Sequence, residues 1–210
     1  VRLLDLFCGA GGCSVGYHRA GWTVTGVDNE NQPDYPFTFV LGDALEFCEE
    51  HWMEFDAVHA SPPCQASSTL TTGTWGNTTG HTDLVPQTRR MLAALPLPTI
   101  VENVKGANLR PDITLCGAMF GLSTYRHRYF EVSFPVPRPP HPKHVGRVDG
   151  WRHGRRIKGS MSGVWGHSGG YKGTLEQWQQ ALDAPWITSK RSLAQAIPPA
   201  YTEHIGRSIP

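Results

Sequence analysis

Leu3-Leu4-Asp5-Leu6-Phe7-Cys8-Gly9-Ala10-Gly11-Gly12 reads as a short apolar strand that runs into a glycine-rich turn and opens a helix at Cys13. Glycines at such a turn let the main chain approach a ligand closely and point free N–H groups at it. Beyond it, short β-rich runs alternate with helix-compatible segments, the pattern of a parallel sheet covered by helices. Strands are expected near Leu3 to Phe7, Thr23 to Val27, Phe37 to Leu41, Ala57 to Ala60 and Thr99 to Glu102. Helices are expected at Cys13 to Ala20, Ala44 to His51 and Leu84 to Ala94. The predicted fold class is α/β, a doubly wound, mostly parallel sheet.

Asp28 ends the second strand and Asp43 the third. A carboxylate ending the second strand is placed to accept hydrogen bonds from ribose hydroxyls, and one ending the third could receive an adenine amino group. Either aspartate could instead cap a helix; together with the glycine-rich turn they favour a nucleoside. Two further strand ends carry chemistry. The run Asp56-Ala57-Val58-His59-Ala60 leads into Pro62-Pro63-Cys64-Gln65, and Thr99-Ile100-Val101 leads into Glu102-Asn103-Val104. A thiol and a carboxyl group at successive strand ends suit attack on an electron-poor ring. Cys64 could also be a buried structural thiol, but its prolines and Gln65 argue against burial. The Thr-, Gly- and Ser-rich run from Ala66 to Thr82 reads as a mobile cover for the site.

At 210 residues the chain has room for one main domain and a small appendage. No secretory signal is visible before Leu3, and no apolar run approaches the ~20 residues that cross a bilayer, so a cytoplasmic protein is expected. Five cysteines, Cys8, Cys13, Cys48, Cys64 and Cys116, show neither zinc-site nor disulfide-scaffold spacing. None of the ten histidines clusters with them at recognisable spacing, so no metal is expected. The net charge of +1 hides a basic stretch: Arg138 to Lys172 holds eight cations and one acid, Asp149. Such a stretch carries a positive field. Met119 to Val132 could supply two strands joined at Gly121 to Thr124, and the prolines from Pro135 to Pro142 mark a boundary. Thr174 to Ala181 reads as a short helix, and Ser192 to Ile209 as a segment docking back on the main domain.

With these motifs assembled, the chain resembles the DNA cytosine-5 methyltransferases, in compact phage-type or bacterial form. The resemblance rests on Asp5 to Gly12, Pro62-Pro63-Cys64-Gln65, Glu102-Asn103-Val104 and Arg126-His127-Arg128-Tyr129-Phe130, in the family's order, with Ala196-Ile197-Pro198-Pro199 near the end. It implies S-adenosylmethionine as cofactor, held by Asp5, Phe7, Gly9, Gly11, Gly12, Asp28, Asn29, Asp43, Ala44, Pro63 and Gln195. It implies Cys64 as nucleophile on a flipped-out cytosine, Glu102 at ring nitrogen 3, and Arg126 and Arg128 steadying the base and the catalytic loop. Two arginines one residue apart on a strand would share a face. Residues 1–134 would be the catalytic and cofactor-binding domain, 135–185 a reduced target-recognition lobe, and 186–210 the docking segment. Double-stranded DNA is the implied partner of a monomer, contacted by Gln65, Ser68, Arg147, Arg152, Arg155, Arg156 and Lys158. A bacterial or phage-infected cell is the implied setting, with restriction-modification among the roles.

Two departures matter. Thr124 stands where the family usually has glutamine, and Ala194-Gln195-Ala196-Ile197-Pro198-Pro199 replaces a Gly-Asn motif beside the cofactor. With Lys190 and Arg191 close in sequence, a donor carrying a carboxylate on the transferred carbon stays open. So do the same chemistry on RNA and a nonenzymatic DNA-binding relative.

Overall fold

The computed structural model describes residues 1–63, 83–152, 155–165 and 173–210. Seven strands form one sheet: β1 (Arg2–Leu6), β2 (Thr23–Asp28), β3 (Thr38–Leu41), β4 (Ala57–Ala60), β5 (Thr99–Asn103), β6 (Ile113–Leu115) and β7 (Arg128–Val132). Their order is β3-β2-β1-β4-β5-β7-β6. The first five are parallel, and β7 runs antiparallel between β5 and β6. Strand order reverses between β1 and β4, and a doubly wound sheet opens its ligand crevice at such a switch point.

The central strands are apolar along their length because both faces are covered. Side chains alternate across a strand, so Leu3 packs with Tyr17, Ile100 and Phe130 on one face, while Leu4 and Leu6 pack with Val27, Val58 and Val101 on the other. The first face is covered by α1 (Gly12–Arg19) and α6 (Pro199–Gly206), the second by α2 (Ala44–His51) and α3 (Val85–Ala93). The α1–α6 contact is close: Thr202 Oγ1 donates to the Cys13 carbonyl at 2.8 Å, and Trp22 Nε1 donates to Gly206 O at 3.1 Å. A third cluster joins Ala10 of the glycine turn to Val164, to Trp178 and Leu182 of α4 (Leu175–Leu182), and to Leu193 of α5 (Lys190–Gln195).

One expectation needs correction. Met119 and Phe120 lie in a 3₁₀ turn, Gly117–Phe120, that Gly121 ends at φ 70°; the partner of β7 is the earlier β6. The basic stretch also contains a two-stranded antiparallel pair, β8 (Gly150–Arg152) with β9 (Arg155–Ile157), which sequence reading did not anticipate. Among the described residues, no helix is long and apolar enough to cross a membrane.

Candidate active site

The glycine turn is held by residues at the ends of β1 and β2. Phe7 (φ 58°), Gly9 (φ 47°) and Gly11 (φ 82°) lie in the left-handed region, and Gly11 caps α1. A Cβ on Gly12 would strike the Ile197 carbonyl, so only glycine lets the C-terminal segment come this close. The two oxygens of Asp28 accept from Gly9 N and Glu30 N, both at 2.9 Å, and so join the turn to the loop after β2.

Asp5 lies fully buried beneath the turn. Its Oδ2 accepts from Ser14 Oγ at 2.5 Å, its Oδ1 has no hydrogen-bond partner among the described residues, and burial pushes its pKa up to about 7. The cleft above has a volume of about 250 Å³ and is lined by Asp5, Phe7, Gly9, Gly12, Asp28, Asn29, Pro63, Glu102, Arg128 and Gln195, among others. A buried acceptor, a side-chain-free turn that lets a ligand approach the main chain and an apolar wall at Phe7 and Ile197 suit a nucleoside that carries a cationic group.

Three predicted cofactor residues do not line this cleft. Gly11 forms the cap of α1 instead. Asp43 Oδ1 accepts from Leu45 N at 2.8 Å and Glu46 N at 3.0 Å, which makes it the N-cap of α2, and Ala44 is buried at the start of that helix. The capping role of Asp43, one of two open from sequence, is the one the geometry supports.

Opposite the turn, Glu102 comes from the buried end of β5. Arg128 Nε lies 3.1 Å from Glu102 Oε1, though this oxygen makes no aligned hydrogen bond among the described residues. Burial raises the Glu102 pKa, while Arg128, Arg126 and the Ser61 hydroxyl pull it back; the net shift is upward. Arg126 does not share a face with Arg128. It precedes β7 at φ 30°, so strand alternation does not apply, and its guanidinium donates to the carbonyls of Ala196 (2.8 Å), Val164 (2.5 Å) and Ala194 (2.7 Å).

Asn103 Nδ2 donates to the Pro62 carbonyl at 2.9 Å and so ties the end of β4 to that of β5. Pro63 lines the cleft. Cys64, Gln65 and Ser68 lie outside the described residues.

Residues 1–112 match the C-5 cytosine-specific DNA methylase family. The chain belongs to that family. A type II methyltransferase, M.AquIA of Picosynechococcus sp., is 34% identical over 128 residues, which cover 50% of this chain and 49% of that enzyme. The chain thus spans about half the length of that relative. Two solved structures have the same fold over nearly the whole chain. Dnmt2 methyltransferase of S. pombe has a TM-score of 0.61 at 14% identity, over 98% of this chain and 97% of that one. The Entamoeba histolytica methyltransferase EhMeth has a TM-score of 0.59 at 11% identity, over 98% and 96%.

Outside the matched span, the cations of the basic stretch differ in their surroundings. Arg156 is engaged within the stretch: its NH1 and NH2 donate to Asp149 at 2.7 and 2.8 Å. Arg147, Arg155 and Lys158 are exposed. Arg152 is described only as backbone in β8. Of the two cations considered for a carboxylated donor, Lys190 donates to Gly173 O at 2.6 Å and sits over the Trp178 ring, while Arg191 lines the cleft and pairs with Glu30 at 3.6 Å.

Sequence reading missed two groups. His59, taken as part of an apolar strand, is fully buried between the Tyr17 hydroxyl at Nδ1 and Ser61 Oγ at Nε2, both at 2.8 Å; burial lowers its pKa to about 3. It thereby fixes Ser61, which supports Glu102. The second is Cys116, His127, His141 and His144, whose ligand-type atoms lie within 4.8 Å of one another. Linear spacing gave no sign of this cluster because sheet pairing and chain return assemble it.

Proposed function

We propose that the chain transfers a methyl group from S-adenosylmethionine to carbon 5 of cytosine in double-stranded DNA, through a covalent bond to Cys64. The observation that carries this reading is Glu102. It is a buried carboxyl with a raised pKa, ion-paired through Oε1 with Arg128, in the same cleft as the glycine turn and Pro63.

Cytosine carbon 5 is a poor nucleophile. Addition of the Cys64 thiolate at carbon 6 makes the ring an enamine and pushes electron density onto carbon 5. Negative charge builds toward ring nitrogen 3 as this bond forms, and the protonated Glu102 carboxyl donates there. Arg128 then steadies the carboxylate that remains. When bound, S-adenosylmethionine supplies a sulfonium methyl as the electrophile. Loss of the carbon 5 proton to solvent and cleavage of the Cys64–carbon 6 bond restore aromaticity and the thiolate, while Glu102 recovers its proton from nitrogen 3.

Asp5 Oδ1, Asp28 and the close-packed main chain of the glycine turn are the groups that would hold the donor. A base inside a duplex is out of reach, so it must be extruded, at a cost of a few kcal/mol. In this reading residues 1–134 carry out catalysis, residues 135–185 meet the duplex through Arg147, Arg155 and Lys158, and residues 186–210 close the cofactor side.

Mass analysis of nucleosides from cells expressing the chain tests the proposal. 5-Methyldeoxycytidine in DNA, absent with Cys64→Ser, is the expected result. A product found only in RNA would reassign the substrate, a carboxymethylated base would reassign the donor, and no modified pyrimidine would overturn the proposal.

A further inference from the structure

The β6–β7 edge of the sheet carries a group of side chains that the cleft does not use. In the antiparallel register Leu115 faces Arg128, so the next pair outward, Cys116 and His127, stand opposite each other at the strand ends. Beyond β7 the proline-rich chain returns to the same edge with His141 and His144. Cys116 is fully buried, whereas the three histidines are exposed. Their ring centroids lie 4.9 to 5.6 Å apart, and Cys116 Sγ is 3.3 Å from His144 Nε2.

We propose that Cys116, His127, His141 and His144 form a structural zinc site that pins the proline-rich segment after β7 to the edge of the sheet. Bonds of about 2.0–2.3 Å to tetrahedral zinc place the ligand atoms roughly 3.3–3.8 Å apart. The Sγ–Nε2 edge already has that length, and the whole set spans 4.8 Å. Three imidazole nitrogens and one thiolate form a borderline donor set suited to zinc, and four protein ligands leave no position for substrate. On binding, Cys116 Sγ releases its proton to solvent, and the three neutral imidazoles each donate a lone pair. The thiolate lowers the charge of the site from that of the dication to a single positive charge. This matters because Lys105 and Arg128 lie near His127.

The surroundings hold the ligands in place. Tyr125 stacks on the His144 ring with centroids 3.8 Å apart, and its hydroxyl donates to Gly146 O at 2.6 Å. His127 itself lies between Arg126, in its cage of three carbonyls, and Arg128, which pairs with Glu102. An ion here would brace the sheet edge that carries both arginines. The zinc reading does not depend on the methyl-transfer reading.

The test is zinc content. Chain free of any histidine tag, exposed to zinc and then gel-filtered, should retain about one zinc per chain by elemental analysis. Cobalt loading should give a thiolate-to-metal charge-transfer band together with visible bands of tetrahedral intensity. Cys116→Ser should abolish that charge-transfer band and most of the zinc. The exposed His141→Asn variant, whose fold is checked by circular dichroism, should also lose most of the zinc, and His51→Asn should keep it. Little zinc on the wild-type chain, or undiminished zinc in both ligand variants, would show that the rings are merely packed together and overturn the proposal.

Discussion

Arg128 and Glu102 meet at 3.1 Å across the antiparallel pair of β7 and β5, with both side chains largely shielded from solvent. The pairing balances two opposed effects. Burial favours the neutral acid, and the guanidinium favours the carboxylate. A group held between these limits can lend a proton and recover it, as the proposed chemistry asks of Glu102.

Glu102→Gln keeps the shape and removes the transferable proton. Methyl transfer measured in a single turnover should fall by about 10²- to 10⁴-fold, with the folded state retained by circular dichroism. Arg128→Ala should behave differently. Leaving the buried acid without its partner should cost on the order of 3 kcal/mol, read by urea unfolding.

Asp5 and His59 give opposed pH dependences. The folded pKa of Asp5 is raised from 3.8 to about 7, so its contribution is full below the unfolded value and is lost as pH rises through about 7. The folded pKa of His59 is lowered from 6.5 to about 3, so its contribution is present above 6.5 and is lost as pH falls toward about 3. The two slopes oppose each other between the unfolded pKa values of 3.8 and 6.5. Asp5→Asn should therefore make the urea midpoint rise with pH across this window, relative to wild type. His59→Gln should make it fall.

Arg126 closes three backbone carbonyls, two of them in the segment that lines the cleft. Arg126→Ala should cost roughly 3 kcal/mol, measured by denaturant titration, and should weaken cofactor binding measured by calorimetry. Lysine should rescue little, because a single ammonium cannot reproduce the planar fork of donors.

The central strands were legible because each is a short apolar run ending in a distinctive residue: Asp5 just before the glycines, Asp28, Ala60 before the prolines, and Glu102. β6 was not, since Ile113 to Leu115 is too short to signal a strand without its partner. For Asp43 the sequence left two roles open, and only the amides of Leu45 and Glu46 distinguish a cap from a ligand. His59 was hidden because one polar residue in a buried strand looks like an exception until Tyr17 and Ser61 are seen on either side of it. The Cys116–His144 group escaped for a related reason. Ten residues separate Cys116 from His127 and thirteen separate His127 from His141, and only the register of β6 with β7 and the returning chain bring them together.

Trapping of Cys64 on a modified base tests the catalytic proposal most directly. Fluorine at carbon 5 cannot leave as the proton does, so a duplex containing 5-fluorocytosine should stop the reaction after methyl transfer, with the Cys64–carbon 6 bond intact. With S-adenosylmethionine present, a denaturation-stable protein–DNA adduct should form and map by peptide mass to Cys64. It should vanish in Cys64→Ser while the circular dichroism spectrum is unchanged. Turnover on ordinary cytosine without any adduct on the fluorinated duplex, or an adduct that survives Cys64→Ser, would contradict the mechanism.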